Sequence, residues 1–149
     1  MKLSTNDILE YQQNRDPYLM IDCVEELEPG QFANGYKYLT KNEWFFKVHW
    51  PKDPNMPGML QIESLVQMSA LAILCLPGNK GKIMYLTAAN NLKFLKKIIP
   101  GDRLYIHTTI KSYYRGRAIC DCFVLFKKHL VVQAIFYLLL HDHINTHTY

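Results

Sequence analysis

Apolar and polar positions change period along the chain, and each change marks an element. Between residues 59 and 76, apolar side chains stand at Met59, Leu60, Ile62, Leu65, Val66, Met68 and at every position from Leu71 to Leu76. They cover almost every direction of a helix, and a helix apolar all round is one that other elements enclose. Pro57-Gly58 opens this stretch and Pro77-Gly78-Asn79 closes it. On either side the signal is that of strands. Residues 18–27 and 31–39 read as a first hairpin around the turn Glu28-Pro29-Gly30, and further strands are expected at 83–86, 92–94, 104–113, 118–126 and 130–140. Near the start, Ser4 and Asp7 can cap a short helix ending at Tyr11. Residues 42–55 hold no sustained period and read as a loop with a short strand near 44–47. Strands before and after one buried helix predict an α+β fold, one long central helix wrapped by an antiparallel β-sheet. A single domain over residues 1–149 is expected, with about 141–149 as a disordered tail.

Composition agrees with a packed domain. The 149 residues are 49% hydrophobic, 20% charged and 13% aromatic, far from the signature of disorder. The net charge of +4 gathers in short clusters, Lys93 with Lys96 and Lys97, and Lys111 with Arg115 and Arg117. No helix-turn-helix, zinc-finger or aromatic-basic RNA platform accompanies them, so an acidic protein or a phosphate suits them better than a nucleic acid. Cys23, Cys75, Cys120 and Cys122 are scattered without zinc spacing and read as reduced core thiols. The first seven residues lack an apolar signal region, and the longest apolar stretches are interrupted or too short to span a bilayer. A cytoplasmic protein without a membrane span is expected. His141, His143 and His147 lack fixed metal-ligand geometry, and no metal is expected there.

The chemistry concentrates between His49 and Glu63. Three prolines, Pro51, Pro54 and Pro57, stiffen the segment that joins them, and Gly58 opens the long helix whose one acidic side chain is Glu63. A carboxylate in so apolar a helix must be paired, protonated or facing a cavity. A protonated acid and a neutral imidazole make a matched acid–base pair, and the free N–H groups of a helix start can hold a developing oxyanion.

The pattern His49, Pro51, Pro54, Met56-Pro57-Gly58, Leu60, Glu63 and Gln67 resembles the β-hydroxyacyl-acyl-carrier-protein dehydratases, whose fold is the hotdog. The likeness extends to Arg15, Pro17, Asp22, Asn42-Glu43, Phe45-Phe46, Tyr85, Asn91, Phe94 and Ile98-Ile99-Pro100-Gly101-Asp102, over residues 8–140. The resemblance implies a homodimer, or a hexamer built as a trimer of dimers, in which His49 of one subunit faces Glu63 of the other. It implies catalytic roles for His49 and Glu63 and substrate contacts for Gly58, Val48, Trp50, Pro57, Gln67 and Tyr85. Lys93, Lys96 and Lys97 become contacts for an acyl carrier protein. The expected reaction turns a 3-hydroxyacyl thioester into a trans-2-enoyl thioester, with no cofactor. Val48, Trp50, Lys52-Asp53 and Lys97 depart from the usual pattern around the site. Two other readings stay open on the sequence: a hotdog thioesterase, and a non-catalytic acyl-binding subunit with Val48 and Trp50 blocking the site.

Overall fold

The computed structural model describes residues 1–141. In chain order the elements are α1 (Thr5–Tyr11), β1 (Cys23–Glu28), β2 (Phe32–Tyr38), α2 (Trp44–Val48), α3 (Gly58–Leu74), β3 (Met84–Phe94), β4 (Arg103–Tyr114), β5 (Arg117–Phe126) and β6 (His129–Leu140). The strands form a six-stranded sheet in the order β1-β2-β4-β5-β6-β3, antiparallel at every junction. The expected tail falls mostly on residues 142–149, with His143 and His147, outside the described residues.

α3 is the axis of the core. Every residue from Leu60 to Leu74 is buried except Glu63. The sheet supplies the packing through alternate positions, Ala118, Cys120, Cys122 and Val124 of β5 and Val132, Ala134, Phe136, Leu138 and Leu140 of β6. Ser69 ties helix to sheet. Its hydroxyl donates to the Leu65 carbonyl (2.8 Å) and meets the Thr108 hydroxyl (2.8 Å) and the Cys122 thiol (3.1 Å). Burial pushes the Cys122 thiol up to about 11 and the Cys120 thiol to about 12, so both stay protonated and unreactive at neutral pH.

Four details differ from the sequence reading. Residues 44–47 form part of helix α2 and not a strand, because the adjacent Phe45 and Phe46 are both buried, which a strand facing one core does not allow. The first strand starts at Cys23. Met20 and Ile21 are likewise both buried, and the Gln67 amide bonds to Tyr18 and Met20 from the side. The two strands expected at 83–86 and 92–94 are one strand, β3, whose register shifts at Leu86/Ala88 and Asn90/Lys93 absorb the polar residues between. The long helix ends at Leu74, two residues early, with Cys75 as its cap. The capping box of Ser4 with Asp7, and the hairpin turn at Gly30 with φ +75°, stand as expected.

β3 lies at one end of the sheet and has no buried residue along its length. At the other end, β1 is short, and Leu3 bridges to Val24 beside it.

Candidate active site

α2 delivers the histidine. Lys37, buried in β2, reaches Asp22 and Glu43 at 3.4 Å each, and Glu43 is the residue from which α2 starts. His49 closes that helix, its N–H donating to the Phe45 carbonyl at 2.8 Å. Its Nδ1 lies 3.1 Å from the Asn55 carbonyl oxygen, and the Asn55 N–H returns a bond to the His49 carbonyl at 3.0 Å. A carbonyl only accepts, so Nδ1 carries a proton, and the tautomer this selects has its lone pair on Nε2. The His49–Trp50 peptide is cis, and the two rings are 4.4 Å apart between centroids. Trp50 is 57% exposed and Val48 65% exposed, and it is the Trp50 ring that lies against the imidazole.

α3 delivers the acid. Glu63 is half-buried, and desolvation raises its carboxyl above the ordinary value, with the Gln67 hydrogen bond opposing. Gln67 is wholly committed. Its Nε2 donates to Glu63 Oε1 and to the Tyr18 carbonyl (2.9 Å each), and its Oε1 accepts from the Met20 N–H at 2.8 Å. It joins Glu63 to the segment before β1. Replacing Gln67 with leucine strands the Met20 N–H and the Tyr18 carbonyl, at about 2 kcal/mol, read as a fall in melting temperature. The same change removes the bond that lowers the Glu63 pKa, so the basic limb of the kcat–pH profile moves to higher pH.

Pro57 caps α3 and Gly58 is its first residue. A side chain on Gly58 would meet the Phe94 ring at 3.0 Å, so glycine lets the end of β3 lie against the helix start. A cleft of about 400 Å³ opens there, lined by Asn55, Met56, Gly58, Gln61, Phe94 and Lys96 among others. The segment that follows His49 is held to the chain after β3 by the Met56 N–H on the Ile98 carbonyl (2.8 Å) and by Lys97 paired with Asp53. Larger concavities, of about 580 and 620 Å³, lie on the outer face of the sheet, away from His49.

The single chain gathers some predicted residues and not others. Gly58 and Lys96 line the cleft, His49 is tied to it through its bonds with Asn55, and Trp50 stacks on His49, while Lys93 is exposed near the end of β3. Among the described residues no hydrogen bond joins His49 to Glu63, whose partner is Gln67. Tyr85 sits at the opposite end of β3 from Phe94, paired across from Leu139 and about 30 Å along the strand. Lys97 is occupied by Asp53. Sequence reasoning missed Tyr18, whose phenol is held above its ordinary value by desolvation and by the Glu63 carboxylate; the Pro17-Tyr18 step had read only as the start of a strand.

A long helix enclosed by six antiparallel strands, with a histidine loop at the helix start and one acid along it, defines a hotdog protein. A FabA-like domain profile matches residues 13–135, and the chain belongs to that family. Among relatives, the 3-hydroxyacyl-[acyl-carrier-protein] dehydratase FabZ of Clostridium novyi (strain NT) is 48% identical over 110 residues, covering 74% of this chain and 78% of that one. The protein of the same name from Clostridium botulinum (strain Okra / Type B1) is 48% identical over 102 residues, 68% and 71% of the two chains. Among solved structures, the dehydratase heterocomplex ApeI:P from Xenorhabdus doucetiae superposes with a TM-score of 0.78 at 10% identity, over 94% of this chain and 92% of that one. A hypothetical thioesterase protein with coenzyme A from Streptococcus pneumoniae TIGR4 gives 0.61 at 14% identity, over 78% and 83%. At such identities the two structures speak for the fold alone.

Proposed function

We propose that the protein dehydrates 3-hydroxyacyl thioesters borne on acyl carrier protein, giving trans-2-enoyl thioesters in fatty acid or related lipid synthesis. The observation that carries this reading is the 48% identity to proteins named for that activity, and the geometry supplies the groups it needs. His49 Nε2, the lone-pair nitrogen of the tautomer that the Nδ1 bond to Asn55 selects, removes a proton from C2. The Gly58 N–H donates to the thioester carbonyl as charge grows on its oxygen. Glu63, its carboxyl kept protonated to higher pH by burial, gives its proton to the 3-hydroxyl, which leaves as water. Return of the His49 proton to Glu63 through solvent restores the starting state.

The site is completed in a homodimer. β3 supports this, being an exposed terminal strand with a free edge among the described residues. Antiparallel pairing of two β3 strands carries the Tyr85 end of one chain towards the Phe94 end of the other, where Gly58 lies. Met59, 73% exposed in the first turn of α3, and the exposed Phe94 ring are then covered. The four free cysteines suit a reducing, cytoplasmic setting.

Lys93 and Lys96 are the carrier-protein contacts in this reading, Lys97 being engaged by Asp53. With both changed to glutamate, KM for a carrier-linked substrate rises about tenfold at low ionic strength while KM for a small thioester holds. The reading as a whole is tested by product. Dehydration creates an enoyl-thioester absorbance and no free thiol, a thioesterase releases thiol, and a non-catalytic subunit gives neither.

A further inference from the structure

Gln61 is the odd polar residue of α3. It is 6% exposed, its Nε2 donates to the Met56 carbonyl at 2.9 Å, and its Oε1 has no hydrogen-bond partner among the described residues. The other buried polar side chains of the helix, Ser64, Gln67 and Ser69, are all bonded. A buried carbonyl oxygen without a donor costs stability, so its place here calls for a donor from outside the single chain. Gln61 lines the cleft at the start of α3 together with Gly58, and with Nε2 fixed on Met56 the unbonded Oε1 is the end of the amide left for a visitor.

We propose that Gln61 Oε1 and the Gly58 N–H form a subsite for the thiol side of the substrate, in which Gln61 accepts a hydrogen bond from the amide N–H nearest the thioester sulfur. The assignment rests on the dehydratase reading above. A 3-hydroxyacyl group has no N–H of its own, and its hydroxyl lies on the acyl side, towards Glu63. The first N–H on the other side belongs to the amide of a cysteamine-type arm, separated from the thioester carbonyl by the sulfur and two methylenes. Gly58 and Gln61 stand three residues apart, about 4.5 Å of helix rise, a spacing suited to one group that accepts at the carbonyl and donates at that amide.

The experiment uses two crotonyl thioesters, one of N-acetylcysteamine and one of O-acetyl-2-mercaptoethanol, which differ in having an amide N–H or an ester oxygen at the same place. Dissociation constants are measured by titration calorimetry on wild type, Gln61→Leu and Gln61→Met. Wild type is expected to bind the amide compound about fivefold more tightly, and both variants to bind the two alike at the weaker level. Equal affinities in wild type, or a preference that survives both substitutions, would overturn the assignment. Turnover of the matching 3-hydroxybutyryl thioester is followed alongside. Turnover without the preference removes this subsite and leaves the dehydratase reading standing, whereas the preference without turnover does the reverse.

Discussion

His49→Ala is expected to lower kcat for dehydration about a thousandfold, and Glu63→Gln by a similar factor, with KM for the thioester little changed. General acid and base groups each contribute about 10²- to 10⁴-fold when positioned, and here the base His49 is fixed by Asn55 and the acid Glu63 by Gln67. Glutamine at 63 keeps the shape of the side chain, so a loss there measures proton donation and not packing. The pH profile adds a sign. Burial raises the Glu63 carboxyl, so the active acid form persists to higher pH than a solvated glutamate allows, and kcat falls on the basic side as Glu63 ionises. In Glu63→Gln that basic limb should vanish from what activity remains. Stability follows the same direction. A folded state whose carboxyl holds its proton more firmly than the unfolded chain loses stability as pH climbs between the two pKa values. The measurement is enoyl absorbance in steady state. If either variant kept more than about a tenth of wild-type kcat, the acid–base assignment would fail.

The second large effect comes from mixing those same two inactive variants. If each site takes His49 from one chain and Glu63 from its partner, a dimer of one His49→Ala chain and one Glu63→Gln chain carries one site with both residues intact. Random co-refolding makes half the dimers mixed, and half the sites in those are whole, so about a quarter of wild-type activity should return, some hundreds of times that of either variant alone. The lack of a hydrogen bond between His49 and Glu63 in the single chain is what motivates the mixture. Were both residues to act within one chain, no mixed dimer would contain a whole site and activity would stay at the level of the parents.

Much of this arrangement could be read from residue order because its signals are local. Pro57-Gly58 and the apolar run after it set out α3 to within two residues, and Glu63 stood out as the one charge in that run. Pro29-Gly30 fixed the first hairpin. What escaped depends on distant partners. Phe45 and Phe46 look like strand residues until both are seen to be buried, their rings 4.7 Å apart. The polar residues in the middle of β3 look like a break until its two register shifts against β6 take them up. At the site, residue types were legible and their bonds were not. Gln67 was expected to meet substrate, and its bonds to Glu63, Tyr18 and Met20 within the chain were not foreseen. Lys97 was expected to meet a carrier protein, and its pairing with Asp53, which brings together two segments far apart in sequence, was not foreseen. Nothing in a row of letters distinguishes the unbonded oxygen of Gln61 from the saturated amide six residues on.

The unequal ends of the sheet also govern how far such chains can grow. A ribbon of β-structure lengthens without limit only when each newcomer offers a fresh edge behind the one it has used. Here β3 is open, while Leu3 occupies the backbone beside Val24 on β1, and a register shift interrupts β1 at Val24/Glu26. Once two copies have joined through β3, no comparable edge is left over among the described residues, so crowding the protein should not extend the sheets edge to edge into fibres.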